Sequence, residues 1–191
     1  RVYPKALDPN VCKNAILKTD TCDKIMRWDD GVPQYNIINV SFLADQGDHE
    51  WNAIQQQVVP IIQWSAHEYM KALDCEKFWA AKNNLEQIKL NKYNVETGDN
   101  FGLHIDVGDA DSAKRFLAYK IFLNDVEEGG ETGFPELDIN VPPKKGDVVV
   151  FHNTLLNDSS TYPKINPKSL HGGMPVIKGE KWMVNLWFRE N

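Results

Sequence analysis

Cysteine is scarce: the 191 residues include three, Cys12, Cys22 and Cys75, with no CxxC pair. So few thiols leave no disulfide framework and no thiolate zinc cluster. They read as reduced and mostly buried, with Cys12 and Cys22 able to pair only in an oxidising compartment. No run of about 18 apolar residues exists, so no membrane-spanning helix and no membrane partner is expected. The opening stretch, RVYPKALDPN, lacks the apolar segment of a secretory signal and points to a cytoplasmic location.

Basic charge is not in excess either. Residues 1–100 carry 11 basic against 14 acidic side chains and the remainder 10 against 13, for a net charge of −6. A nucleic-acid partner held by a broad basic face is therefore not expected. Histidine is rare, with five residues in all. What is present is 42% hydrophobic and 25% charged residues, the composition of a folded globular chain long enough for one well-cored domain. No repeat, low-complexity tract or long linker divides it.

The first third reads as helical. Asp8 before Pro9 is an N-cap followed by a first-turn proline, with Val11, Ala15 and Ile16 on one face behind it. Trp51, Ile54, Val58, Ile61, Ser65, Tyr69 and Ala72 recur at helical spacing between His49 and Leu73, where Pro60 predicts a kink or a break. Residues 35–42 read as extended. Beyond residue 84 the period shortens. Residues 85–93, 115–123, 147–151 and 181–188 are β-prone, and Gly- and Pro-containing turns separate them. Many short strands with such turns predict an α+β chain with a mainly β core, a sandwich or jelly roll, and N-terminal helices packed on its outside. Residues 1–84 would form the helical support layer with short strands and 85–191 the core, as one domain.

His104-Ile105-Asp106 carries the first chemical signal. Residues i and i+2 of a strand project from one face, so the imidazole and the carboxylate would point together into a barrel mouth. Alone, the motif reads better as a polar strand end with a hydrogen-bonded histidine. His171 lies 67 residues downstream and could complete two imidazoles and one carboxylate, the facial set that holds Fe(II) and leaves positions open. Lys181 follows ten residues later, beyond a Lys178-Gly179-Glu180 turn, where its ammonium can aim into the same cavity. A buried cation there needs an anionic partner.

Four ordered blocks, YNVETGDNFGLHID, LNDVEEGGETGFPE, PPKKGDVVVFHN and SLHGGMPVIKGEKWMVNLWF, together resemble the Fe(II)/2-oxoglutarate dioxygenases of the prolyl 4-hydroxylase type. The resemblance covers residues 93–188, and LDPNVCKNAIL extends it weakly to the first helix. It implies a double-stranded β-helix with the metal at its open end. His104, Asp106 and His171 would be the iron ligands, and Lys181 the partner of the distal carboxylate of 2-oxoglutarate. Tyr93 would reach the cosubstrate pocket, and Gly129 and Gly130 would shape a tight turn beside the site. Cofactors would be Fe(II), 2-oxoglutarate and O2, with ascorbate keeping the iron reduced.

The same resemblance places Arg115 and Trp187 on the substrate side and implies a proline-containing peptide or protein as partner, bound by a monomer or homodimer. Arg189 stands where such relatives often carry histidine. Segments 107–114 and 153–168 are candidates to cover the site. Two alternatives stand beside prolyl hydroxylation: the same chemistry on a free amino acid or other small molecule, and a non-catalytic jelly roll used for binding. Nucleic-acid demethylation is opposed by the acidic balance and by Lys181.

Overall fold

The computed structural model describes residues 1–28, 34–79, 82–155 and 164–191. Helix α1 (Pro9–Thr19) begins as its sequence predicts, with the Asp8 carboxylate accepting from the Asn10 N–H at 2.7 Å. The expected extended piece at 35–42 is cut short. Strand β3 (Tyr35–Asn39) ends where the Asn39 side chain caps helix α2 (Val40–Asp45), accepting from the Phe42 N–H at 3.0 Å. Helix α3 (His49–Ala72) runs unbroken through Pro60. Its buried stripe takes Ile62, which is fully buried, in place of Ile61. Three helical turns from Trp51 end nearest residue 62, which explains the choice. His49 and His67 are exposed on this helix.

The main sheet is antiparallel, in the order β1 (Val2–Tyr3), β11 (Val148–His152), β7 (Arg115–Phe122), β14 (Glu180–Glu190), β5 (Lys89–Asn94), β3, β2 (Met26–Trp28), with β4 (Asn83–Leu85) pairing the end of β14. Thus the first 84 residues supply strands at both edges as well as the helices. A second sheet runs β10 (Ile139–Val141), β9 (Thr132–Phe134), β12 (His171–Gly173), β6 (Phe101–His104). A short pair, β8 (Glu128–Gly129) with β13 (Val176–Lys178), closes one end.

Alternation along β14 divides the interior. Trp182, Val184, Leu186 and Phe188 pack with α1 and α3 in the larger core, while Met183 and Trp187 join Tyr93, Phe122, Phe134 and Phe151 between the two sheets. The helices thus cover the outer face of the main sheet, and the inner face looks onto the site. This is the expected mainly β architecture with antiparallel sheets. All three cysteines are free, but only Cys12 is buried.

Candidate active site

His104 ends β6 and His171 begins β12, and the pairing of the two strands sets these residues directly opposite each other. Their ring centroids stand 4.3 Å apart. Asp106 follows two residues after His104 and turns its carboxylate to both: Oδ1 lies 3.3 Å from His104 Nε2, and Oδ2 lies 3.9 Å from His171 Nε2. Ligand atoms of the three side chains fall within 4.8 Å of one another.

The tautomers follow from the backbone. His104 Nδ1 is 2.8 Å from the Gly102 carbonyl oxygen, and His171 Nδ1 is 2.8 Å from that of Ser169. A carbonyl only accepts, so each Nδ1 carries the proton and each Nε2 presents a lone pair. Both Nε2 atoms are buried without a hydrogen-bond partner. A lone pair and a carboxylate oxygen at 3.3 Å need a cation between them. Two orphaned imidazole nitrogens and a buried carboxylate therefore fit a divalent transition metal with open positions. Burial lowers His171 to about 3, with the Lys120 charge adding to the effect, so the ring is neutral and free to ligate. Burial alone would raise Asp106, but the Lys120 charge holds it well below the usual carboxylate range.

Lys181 is on the inner face of β14, opposite Tyr93 and 1% exposed. Its Nζ has no hydrogen bond or ion pair among the described residues and lies 5.0 Å and 5.6 Å from the ring centroids of Tyr93 and Phe122. Burial, then the Lys120 charge, lowers it to about 7. A narrow pocket runs between this ammonium and the two imidazoles, lined also by Tyr93, Thr132 and Asn185. Burial raises the Tyr93 phenol far above its ordinary value, so it stays protonated as a donor. Gly129 shapes the nearby turn: at its φ of 77° a Cβ would come within 2.5 Å of the Pro175 carbonyl oxygen. No side chain larger than hydrogen fits there.

Arg115 and Trp187 both line a groove of about 450 Å³ that opens off His104 and Asp106. The Trp187 indole N–H donates to Asp106 Oδ2 at 2.8 Å, an arrangement spacing alone did not suggest. Arg115 makes a two-pronged ion pair with Glu86 at 2.7 Å and 2.8 Å and lies over the Trp187 ring at 4.0 Å. Trp187→Phe keeps the packing and removes the donor, so metal affinity should fall about 10- to 100-fold. A metal titration checks this, and an unchanged affinity would mean the indole does not hold the carboxylate.

Asp99 fixes the approach to β6. It is fully buried and accepts from Arg27 at 2.8 Å and 2.9 Å, from Thr97 Oγ1 at 2.6 Å and from the Asn94 N–H at 3.0 Å. Burial opposes its charge, but Arg27 and then Thr97 outweigh it and lower the carboxyl from 3.8 to about 2. A depressed folded-state value stabilises above the unfolded value, and that contribution is lost as pH falls from 3.8 through about 2. Asp99→Ala should lower stability by about 2 kcal/mol, because it leaves the Asn94 N–H and the Thr97 hydroxyl without their acceptor. Chemical denaturation at neutral pH measures it, and the gap between variant and parent should narrow towards pH 2.

Sequence reasoning missed Lys120 and Asn185, which are both buried and both line the metal-side pocket. The signal was available: Lys120 shares the parity of Ala118 and Phe122 within an otherwise apolar strand. Arg189, where the resemblance leads one to expect histidine, pairs with Asp111 at 2.6 Å and so ties segment 107–114 to β14. His152 is taken up by the Tyr69 hydroxyl at 2.7 Å. The middle of segment 153–168, residues 156–163, lies outside the described residues.

Comparison with known proteins agrees with this geometry. Residues 88–189 match the family model of the 2OG-Fe(II) oxygenase superfamily. A putative prolyl 4-hydroxylase of Acanthamoeba polyphaga mimivirus is 49% identical over 77 residues, 40% of this chain and 30% of that protein. A probable prolyl 4-hydroxylase of Arabidopsis thaliana is 33% identical over 120 residues, 52% of this chain and 40% of that one. The chain thus spans less than half the length of these two relatives. Among solved structures, a viral collagen prolyl hydroxylase from Paramecium Bursaria Chlorella virus-1, in complex with 2OG, aligns over 100% of this chain and 96% of its own, with a TM-score of 0.70 and 26% identity. A Pseudomonas putida prolyl-4-hydroxylase shares the fold at a TM-score of 0.69 and 15% identity, over 100% of this chain and 92% of its own.

Proposed function

Because this chain belongs to the 2OG-Fe(II) oxygenase superfamily, we propose that it is a peptidyl-prolyl 4-hydroxylase acting on proline in an extended peptide. One observation carries the reading of the site: two buried imidazole Nε2 atoms without partners converge with a buried carboxylate. His104, Asp106 and His171 would hold Fe(II), and Lys181 would bind the distal carboxylate of 2-oxoglutarate. When bound, the metal, 2-oxoglutarate and O2 supply the oxidising power, releasing succinate and CO2 and delivering one oxygen to an unactivated C–H bond. Ascorbate would sustain turnover by returning oxidised iron to Fe(II).

The chain's own residues bind, orient and exclude water. Asp106 supplies the negative charge of the ligand set, and Trp187 fixes one of its oxygens. Lys181, with no hydrogen-bond or ion-pair partner among the described residues, offers its buried ammonium at the far end of the narrow pocket. Tyr93 would donate its hydroxyl to the same cosubstrate. On the open side, the groove of about 450 Å³ beside Arg115 and Trp187 shares His104 and Asp106 with the proposed metal set. Both residues are proposed to contact the peptide there, with Arg115 held in place by Glu86. The names of the relatives support proline as the target.

The test is mass spectrometry of a proline-rich peptide library incubated with iron, 2-oxoglutarate and ascorbate, with Asp106→Ala as the inactive control. A gain of one oxygen on proline, absent from the control, is the expected result. Succinate formation without any peptide gain would instead point to a free amino acid or other small molecule.

A further inference from the structure

A second buried lysine stands in the metal-side pocket, and the roles given so far do not use it. Lys120, on the inner face of β7, is 4% exposed and lines the same pocket as Lys181. Its Nζ donates to Asn185 Oδ1 at 2.6 Å and stands 4.0 Å from Asp106 Oδ2. Register explains the pair, since Lys120 and Asn185 face each other across β7 and β14. At 4.0 Å the carboxylate is beyond hydrogen-bond range, and its Oδ2 already accepts from Trp187. Among the described residues, therefore, an ammonium with three donors has one of them satisfied.

A buried ammonium with a neutral amide as its one hydrogen-bond partner is costly. The Asp106 charge offsets part of that cost, but a divalent ion in the triad would draw that carboxylate to itself. Lys120 would then face the pocket with two free donors, immediately beside the metal ligands. A dianion with one carboxylate at each end matches two lysines placed this way. Lys181 sits four residues before Asn185 on β14, about 13 Å along the strand.

We propose that Lys120, oriented by Asn185, is a second anchor of the cosubstrate and binds the 2-oxo-acid carboxylate beside the metal, while Lys181 binds the distal one. The inference rests on the reading of this pocket as the 2-oxoglutarate site. Lys120 acts by direct contact, and Asn185 is a positioning residue.

Equilibrium binding to the Mn(II)-loaded protein tests it without turnover. The probes are 2-oxoglutarate, which carries both ends, and pyruvate, which carries the oxo-acid end alone. Lys120→Met should weaken both by about the same factor, roughly 10-fold or more, as expected for losing a hydrogen bond to a charged group. Lys181→Met should weaken 2-oxoglutarate and leave pyruvate unchanged. Asn185→Ala, which keeps the lysine, should act in the direction of Lys120→Met with a smaller factor, and it carries the test if Lys120→Met does not fold.

Parental affinity for both probes in Lys120→Met would overturn the inference. So would an equal loss of Mn(II) affinity, which would place Lys120 on Asp106 and not on the oxo acid. If the unaltered Mn(II)-loaded protein binds no 2-oxoglutarate, the reading of the pocket fails first and takes the inference with it.

Discussion

Asp106→Ala is expected to abolish iron-dependent succinate formation and to lower metal affinity by more than about 100-fold, beyond the usual cost of an outer-sphere partner. The carboxylate is the one negative charge of the proposed ligand set, and it faces both imidazoles at 3.3 Å and 3.9 Å. Two neutral imidazoles alone would hold a divalent ion weakly. The substitution also strands the Trp187 indole N–H, which donates to Oδ2, and removes the carboxylate nearest the Lys120 ammonium. Stability should therefore fall as well, because an unpaired buried charge is costly. Asp106→Asn separates the two effects: its amide oxygen can still accept from Trp187, but it carries no charge for the metal. Loss of metal binding in both variants, with a smaller loss of stability in the asparagine form, is the expected pattern. Succinate formation at the parental rate in either variant would remove Asp106 from the metal.

Lys181→Met is expected to raise the 2-oxoglutarate requirement on the order of 100-fold or more, the scale for removing one partner of a buried ion pair. Metal affinity should hold, which separates this variant from Asp106→Ala. The pH dependence follows from the same burial. In the empty pocket Lys181 is lowered from 10.5 to about 7, so above that pH the ammonium must be regained when a carboxylate binds. Affinity should weaken about tenfold per pH unit above that point, and should level below it. Dissociation constants at pH 6.5 and 8.5 measure the slope. Lys181→Arg should reduce it, because a guanidinium stays charged when buried. A flat profile in the parent would mean that another cation carries the distal carboxylate.

Much of the site is legible in the chain itself. His104 and Asp106 lie two apart, and although the strand ends at His104 their side chains do converge. His171 and Lys181 stand in one block whose turn, shaped by Gly179 at a φ of 91°, returns the chain to the same interior. Local chemistry also fixed the start of α1, through the Asp8 cap, and the alternation of β14. Residues 35–42 show where local reading stops. Their apolar, β-branched character suggested one extended piece, but the Asn39 side chain turns the chain into a helix after five strand residues. Capping competes with strand extension, and the winner depends on what each half packs against.

What the sequence determined by itself is the class of fold and the candidate trio and lysine, because ordered motif blocks that resemble a known family single them out. The tertiary structure decided the partners that reach across strands. Trp187 meets Asp106 over 81 residues, Arg27 meets Asp99 over 72 and Lys120 meets Asn185 over 65. Periodicity says which residues of a strand share a face, but not which strand lies beside it or in what register. That order, with β14 seated between β7 and β5, is set by how the whole chain buries its two cores. Through it, a lysine in an apolar strand became part of the pocket beside the candidate metal site.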